Sequence, residues 1–103
     1  MIENIKKRVK ADNYRFTIHA FERCVERGIS PEQVKGAILS GEIVEDYPND
    51  KYGPSCLIYG ATREGKILHV QCSMAPVWIV TAYDPTLNPE EWDRDYKRRR
   101  KTS

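Results

Sequence analysis

The stretch Ser30–Tyr47, which reads SPEQVKGAILSGEIVEDY, decides the fold because it passes from a helix directly into a strand. Ser30 is suited to cap a helix, and Pro31 fits the first helical position. Gln33 stands where a capping box requires it, and Gly41 ends the helix. The residues expected to form its buried face are Val34, Ala37 and Ile38.

Two further helices are predicted upstream of this stretch, because apolar residues recur there at helical spacing. The two apolar stripes are Ile2, Ile5 and Val9 in residues 2–11, and Ile18, Phe21 and Val25 in residues 18–27. Asp12 and Asn13 break the first helix, and residues 14–18 suit a brief extended piece. Gly28 is a natural stop for the second helix.

Strands are predicted after the helices. The four predicted strands are residues 42–47, 55–62, 66–73 and 77–83. Ile43 and Val44 are β-branched and favour the first strand, while Gly65 suits a hairpin turn between the second and third. Residues 89–96 suit one or two helical turns. We therefore predict an α+β fold with N-terminal helices packed on one face of a small, mainly antiparallel four-stranded sheet.

Length and composition indicate one globular domain. The chain has 103 residues, which suits a single domain over residues 1–96, with a basic C-terminal tail over residues 97–103. No apolar run approaches the roughly 20 residues that span a bilayer. The N-terminus lacks the apolar segment of a signal peptide. We therefore expect a cytoplasmic protein with no membrane partner.

The cysteines and glycine motifs argue against several kinds of site. Cys24, Cys56 and Cys72 are odd in number and contain no CxxC pair, so reduced thiols are expected rather than a disulfide scaffold or a zinc site. Neither GxxxxGK[ST] nor GxGxxG occurs, so a standard nucleotide phosphate cradle is not expected. We predict no metal and no cofactor.

Alternation along the last two strands predicts a polar face on the sheet. Leu68, Val70 and Cys72 point to one side in the third strand, and Trp78, Val80 and Ala82 share a side in the fourth. The polar set on the opposite face is His69, Gln71, Thr81 and Tyr83. If the apolar side faces the helices, this polar face is left free for a ligand.

One helical stripe combines an imidazole with two guanidinium groups. His19, Arg23 and Arg27 recur at i, i+4 and i+8 on the second helix. Histidine exchanges a proton near neutral pH and arginine binds phosphate with a forked cation, so the set suits a phosphodiester. The alternative is that both arginines pair with Glu22 or Glu26 on a solvated face.

Three more side chains are candidates for the same chemistry. His69 is a candidate acid or base, although a histidine held on a sheet by one hydrogen bond would look the same in sequence. Tyr83 closes the last strand and either donates to a phosphate or covers the rim of the core. Lys51 offers another cation from a loop, or is simply a loop lysine.

The chain ends with five consecutive cations, Lys97, Arg98, Arg99, Arg100 and Lys101. Such a run is typical of a solvated terminus, and a contact with nucleic acid or an acidic partner is the alternative. The net charge of +2 does not by itself decide between them.

The motifs, taken in order, resemble an uncharacterised bacterial family of domains of unknown function over roughly residues 15–100. The matching pieces are HAFER at 19–23, ERGIS at 26–30, GEIVEDYP at 41–48, DK at 50–51, PS at 54–55, Gly60, Gly65, LHV at 68–70 and TAYDP at 81–85. That family is distantly similar to the RelE and BrnT toxin ribonucleases. BrnT-like chains tend to carry an arginine where Tyr83 stands here.

The resemblance implies a toxin-type, metal-independent endoribonuclease of a toxin–antitoxin pair. RNA, free or on the ribosome, is then the substrate, and a zinc-finger or helix-turn-helix antitoxin is the expected partner. The side chains described above supply the candidates for this chemistry. The predicted catalytic residues are His19, His69 and Tyr83, with Arg23, Arg27 and Lys51 binding phosphate and Lys97, Arg98, Arg99 and Arg100 contacting RNA. The alternative function is a non-catalytic module that docks an antitoxin or regulator.

Overall fold

A computed structural model describes residues 1–51 and 53–101. These residues form three helices and five strands, with the first strand between the first two helices and the other four strands after the third helix, and two 3₁₀ turns follow the last strand. The helices are α1 (Ile2–Lys10), α2 (Ile18–Arg27) and α3 (Pro31–Ser40). The strands are β1 (Arg15–Phe16), β2 (Glu42–Tyr47), β3 (Ser55–Ala61), β4 (Ile67–Ser73) and β5 (Trp78–Tyr83), and the 3₁₀ turns are Pro85–Leu87 and Pro89–Glu91.

The sheet has five strands in the order β1-β5-β4-β3-β2. Strands β2 to β5 pair antiparallel, whereas β1 pairs parallel with β5 through Arg15↔Trp78 and Phe16↔Ile79. The α+β class and the packing of helices on the sheet are confirmed. The predicted four-stranded, mainly antiparallel sheet is wrong in its strand count, because the short extended piece before α2 joins the sheet and makes it mixed.

The alternation of β5 also differs from the prediction. Val70 pairs with Ala82 and Cys72 pairs with Ile79, with a register shift between Gln71 and Cys72. Both Ile79 and Ala82 belong to the buried core. A β-bulge therefore brings Ile79 to the same side as Ala82, although strict alternation placed these two residues on opposite faces.

The core lies between the helices and one face of the sheet. Its fully buried members come from both layers: Ile5, Val9, Ala20, Val34, Ala37, Ile38, Cys56, Ile58, Leu68, Val70, Cys72, Ile79 and Ala82. The predicted caps of α3 are confirmed. Ser30 Oγ accepts from Gln33 N at 3.1 Å, and Gln33 Oε1 accepts from Ser30 N at 2.9 Å.

Helix α3 lies against β3 at a glycine. A Cβ atom built on Gly60 would lie 1.8 Å from the carbonyl oxygen of Ala37, which is closer than any side chain can approach. Ser40 completes the contact, because its hydroxyl donates to Ala61 O at 2.9 Å and accepts from Ala61 N at 3.1 Å. Gly60 therefore sets the distance between helix and sheet.

Helix α2 turns its large apolar residues outward, against the expectation from its amphipathic spacing. Ile18 is 82% exposed, Phe21 51% and Val25 65%, whereas Ala20 and Cys24 are buried. Small residues on the inner face let α2 pack closely on β5, so the wide apolar stripe remains on the surface. We call Ile18, Phe21 and Val25 the α2 stripe.

The three thiols are buried and form no disulfide with one another. Among the described residues, no helix has the length and apolar character needed to cross a membrane. No group of three or more His, Cys, Asp or Glu side chains in the described part of the chain is arranged to hold a metal ion.

Candidate functional site

The sheet face opposite the helices is covered by the C-terminal segment, which we define as residues 85–101. Trp92 is 1% exposed, and its ring centroid lies 4.4 Å from that of His69. His69 itself has no exposed surface. The prediction that this face is free for a ligand is therefore wrong at its centre, because the segment buries an aromatic ring there.

The imidazole of His69 is hydrogen bonded at both nitrogen atoms. Its Nδ1 lies 3.1 Å from the hydroxyl of Tyr83, and its Nε2 lies 2.6 Å from the carbonyl oxygen of Tyr96. Tyr96 adopts a left-handed backbone conformation, with φ of 57°. A carbonyl can only accept, so Nε2 carries the proton and Nδ1 accepts from the Tyr83 hydroxyl.

Burial sets the charge state of this pair. Loss of solvation lowers the pKa of His69 below its usual 6.5, although the hydrogen bond to Tyr96 and the nearby Glu45 carboxylate oppose that shift. Burial likewise raises the pKa of Tyr83 to about 12, with Arg99 opposing it. At neutral pH the ring is therefore uncharged and the phenol keeps its proton.

Tyr83 links this buried pair to a surface cavity of about 400 Å³, which we call the Tyr83 cleft. The residues lining the cleft are Arg27, Ile29, Lys66, Tyr83, Asp84, Leu87, Asn88, Glu91 and Arg99. This size suits a small ligand or one part of a larger one. His69 is not part of the lining of the cleft and is connected to it by the hydrogen bond to Tyr83.

Cations border the cleft on two sides. Arg27 reaches from the end of α2, and its Nη1 donates to Ala82 O at 2.8 Å. Arg99 comes from the C-terminal segment, where its guanidinium stacks 4.6 Å from the centroid of Trp92. Its Nε donates to Glu45 at 3.1 Å, so both arginines are anchored by protein groups.

The lining charges favour an anion. Arg27, Lys66 and Arg99 contribute three positive groups to the cleft, while Asp84 and Glu91 contribute two negative ones. Asp84 is engaged with its own turn, since its carboxylate accepts from Thr86 N at 2.9 Å. Two forked guanidinium groups and a phenol in the lining of one cleft are suited to binding a phosphodiester.

Three of the residues predicted for the site belong to the cleft or contact its lining. Arg27 and Tyr83 line it, and His69 is hydrogen bonded to Tyr83. His19 is exposed on α2 and is neither a partner of His69 nor part of the wall of the cleft, so the structure does not bring the two imidazoles together. Arg23 instead pairs with Glu26 at 3.0 Å, as the alternative interpretation expected. Lys51 is exposed on the loop after β2 and does not line the cleft.

The cations expected in a tail are fixed in the C-terminal segment. Lys97 lies 3.4 Å from Glu42 and 5.1 Å from the Tyr59 ring. Backbone hydrogen bonds hold Arg98 O to Asp93 N at 2.8 Å and Arg100 N to Glu91 O at 2.9 Å. Residues 102 and 103 of the predicted tail lie outside the described residues.

Several residues of the site were not singled out from sequence. Lys66 and Glu91 belong to no motif, and Glu45 was noted only as part of the family piece at 41–48. Tyr96 acts through its backbone carbonyl, which no side-chain pattern reveals. Trp92 could have indicated that residues 85–101 pack on the domain. It is a large aromatic residue inside the charged stretch EEWDRD at 90–95, and tryptophan is highly buried on average.

The sequence model of a family described as a domain of unknown function, DUF4258, matches residues 16–84. The chain therefore belongs to this family, as its motifs suggested. No curated protein and no solved structure matches the chain. The matched region includes α2, His69 and Tyr83, whereas Trp92, Tyr96 and Arg99 follow it.

Proposed function

We propose that this member of the DUF4258 family is a toxin-type, metal-independent endoribonuclease that cleaves RNA in the Tyr83 cleft. The observation that carries the proposal is the hydroxyl of Tyr83, 3.1 Å from His69 Nδ1, in a cleft bordered by Arg27, Lys66 and Arg99. Together these groups can move a proton and hold a phosphate. Cleavage of RNA through its own 2′-hydroxyl needs both functions.

The proton acceptor in this mechanism is the oxygen of Tyr83. As its own proton passes to His69 Nδ1, that oxygen takes the proton of the ribose 2′-hydroxyl, and the 2′-oxygen attacks the adjacent phosphorus. The imidazolium that forms is stabilised by the carbonyl of Tyr96 and by the Glu45 carboxylate, both of which oppose the effect of burial on the pKa of His69.

The remaining groups stabilise charge on the phosphate and protonate the leaving group. Arg27 and Arg99 hold the non-bridging oxygens, where negative charge grows in the transition state. Lys66 protonates the 5′-oxygen as its bond to phosphorus breaks. The products are a 2′,3′-cyclic phosphate and a 5′-hydroxyl. His69 then returns its proton to Tyr83, whose oxygen releases to solvent the proton taken from the ribose, and Lys66 takes up a proton from solvent in turn.

The proposal extends to cellular context. The RelE and BrnT toxins are the proposed structural relatives, RNA in the cytoplasm, free or on the ribosome, is the proposed substrate, and a zinc-finger or helix-turn-helix protein is the proposed antitoxin. Three buried thiols without a disulfide support a reducing compartment. The family resemblance supports the toxin–antitoxin pairing.

The decisive experiment compares Tyr83→Phe with Tyr59→Phe on a labelled RNA, with and without EDTA. Tyr59 packs on the same sheet face, with its ring centroid 6.1 Å from that of His69, but it does not line the cleft. Loss of a proton-transfer group costs about a hundredfold or more in rate. We expect that loss for Tyr83→Phe alone, unchanged by EDTA. Equal cleavage by wild type and both variants would show contamination and reject the proposal.

The alternative function, a non-catalytic module that docks an antitoxin or regulator, is favoured by the α2 stripe. Ile18, Phe21 and Val25 form a large exposed apolar surface beside a cavity of about 330 Å³. Exposed apolar patches commonly mark protein contacts. Glu22, next to Phe21 on the same helix, is exposed. The partner suited to the stripe is therefore an amphipathic helix with a basic residue at its flank.

This alternative is tested with the protein encoded beside this gene. Co-expression and size-exclusion chromatography would show a complex with wild type that is lost with Phe21→Asp and kept with Tyr83→Phe. A wild-type protein that forms this complex but cleaves no RNA would favour the docking module. Cleavage that the partner protein inhibits would instead support the toxin proposal.

A further inference from the structure

A second basic cavity lies between β2 and the end of the chain. This C-terminal hollow has a volume of about 600 Å³. The five cations of residues 97–101 line it, together with Val44, Glu45 and Asp93. Five positive groups against two carboxylates give the hollow a stronger positive charge than the Tyr83 cleft. Its position beside the sheet edge separates it from the His69–Tyr83 pair.

The hollow is built into the fold. Trp92 and Arg99 form an antiparallel bridge, and Arg100 N donates to Glu91 O at 2.9 Å. Arg99 is held to Glu45 at 3.1 Å. These hydrogen bonds hold the backbone that presents the cations before any ligand binds. The binding free energy is therefore not reduced by the entropic cost of ordering this segment.

Three cations remain available for a ligand. The Arg98 side chain is 80% exposed, and its contact with Asp95 is long, at 3.8 Å. Neither Arg100 nor Lys101 forms an ion pair with any described residue, and both are exposed. Lys97 and Arg99, by contrast, are matched by carboxylates, so they hold the segment in place.

Arg99 joins the two cavities. It lines both the C-terminal hollow and the Tyr83 cleft, so the two cavities adjoin at this guanidinium group. We propose that the C-terminal hollow is a second phosphate-binding subsite, which holds the backbone of a single-stranded RNA whose neighbouring phosphodiester occupies the Tyr83 cleft. That the strand is cleaved in the cleft rests on the proposed function, whereas its binding in the hollow does not.

The subsite is suited to binding the phosphate groups of RNA rather than its bases. Proteins that recognise the sequence of single-stranded RNA stack its bases on accessible aromatic rings and form hydrogen bonds to the base edges. Here Trp92 is buried under Arg99, and Lys97 lies over the ring of Tyr59. Apart from the carboxylate of Asp93, the exposed groups of the hollow are guanidinium and ammonium groups. Binding is therefore expected to depend on strand length and salt and little on sequence.

The test uses 2′-O-methyl oligonucleotides, which lack the attacking hydroxyl and so measure binding without cleavage. Fluorescence anisotropy compares wild type, Arg100→Ala/Lys101→Ala and the control Lys7→Ala/Lys10→Ala, which removes the same charge from exposed positions on α1. A long oligouridine should bind roughly tenfold more weakly to Arg100→Ala/Lys101→Ala. A dinucleotide, whose single phosphate cannot occupy both cavities, should lose less affinity. The salt slope should fall by about 1.4, because each phosphate that the protein neutralises on a single strand contributes about 0.7.

Each result decides the proposal. Equal weakening by the control variant, or equal weakening of dinucleotide and long strand, would show general attraction and overturn the subsite. Binding of polyglutamate but not oligouridine would overturn it in favour of an acidic protein partner. If near-ultraviolet circular dichroism shows that the variants do not fold, Arg98→Ala, at a side chain that is 80% exposed, replaces them. Length-dependent binding without RNA cleavage would keep the subsite and reject the nuclease.

Discussion

His69 and Tyr83 occupy paired positions on adjacent antiparallel strands, with His69 Nδ1 3.1 Å from the Tyr83 hydroxyl. Directly opposed residues on one sheet face are neighbours by construction, so strand register alone brings the two groups together. One member of the pair is fully buried and the other lines the Tyr83 cleft. The pair therefore connects a group that can accept a proton, shielded from solvent, to the protein surface.

The pH dependence of stability should report the burial of His69. Its folded pKa is lowered below 6.5, so the unfolded chain binds a proton first as pH falls. The unfolding free energy should therefore be highest above about pH 6.5 and decrease as pH falls from there toward the lowered pKa. Urea denaturation between about pH 7 and pH 5 measures this decrease.

The chain has two histidines, so the assignment has a matched control. His69→Gln should remove the part of the decrease in unfolding free energy that comes from His69, whereas His19→Gln should keep it. The carboxylates are the same in the wild type and both variants, so their contribution cancels in the comparison. Nitrogen-15 spectra should show the His69 proton on Nε2 at neutral pH. Identical slopes in the three proteins, or a proton on Nδ1, would contradict the described hydrogen bonds.

Local signals in the sequence predicted the elements well. The capping box of Ser30 and Gln33, the stop at Gly28 and all four long strands follow from nearest-neighbour chemistry, and they appear close to the predicted bounds. Gly28 has φ of 68°, the left-handed conformation that glycine tolerates best. Such features need no knowledge of distant residues.

Tertiary choices were not predictable in the same way. Spacing shows that Ile18, Phe21 and Val25 share a helix face, but it cannot show that the opposite face, with Ala20 and Cys24, packs on the sheet. The five consecutive cations at 97–101 are likewise typical of a solvated terminus, and nothing in their composition indicates that the segment packs on the domain. Their placement depends on Trp92, which buries its ring on His69 and brings the rest of the segment with it.

Two arginines on one helix give a test of phosphate binding. Arg27 lines the Tyr83 cleft, whereas Arg23 pairs with Glu26 on an exposed face. A hydrogen bond to a charged group contributes about 1.5–3 kcal/mol, which corresponds to roughly a ten- to hundredfold change. We expect kcat/KM for RNA to fall by that factor in Arg27→Gln and by less than about twofold in Arg23→Gln.

The comparison controls for helix and charge, because both substitutions remove one cation from α2. Melting curves of the two variants show whether loss of the Arg27 bond to Ala82 O disturbs the fold. A larger effect for Arg23→Gln than for Arg27→Gln would place substrate on the exposed face of α2 and away from the cleft.

The exposure of the α2 stripe can be measured with two identical substitutions. Ile18 is 82% exposed and Ile38 is fully buried, although both lie on helices. Ile38→Ala should cost about 3 kcal/mol of unfolding free energy through lost burial and a cavity. Ile18→Ala should change it by less than about 0.5 kcal/mol, as surface substitutions usually do. A cost above about 2 kcal/mol at Ile18, the lower end for a buried isoleucine, would show that α2 is buried on the stripe side.

The contact between α3 and β3 makes opposite predictions for two glycines. A Cβ on Gly60 would lie 1.8 Å from Ala37 O, and relief requires the helix to move off the sheet, so Gly60→Ala should cost about 3 kcal/mol or more. Gly36 is inside α3 and has nothing within 4 Å of its Cβ position, so Gly36→Ala should gain about 0.5–1 kcal/mol from reduced unfolded-state entropy. Urea midpoints measure both changes. If Gly60→Ala left the stability unchanged, the helix layer would have to lie farther from the sheet. The position of Cβ is fixed by the backbone, so alanine has no way to avoid the Ala37 carbonyl at that distance.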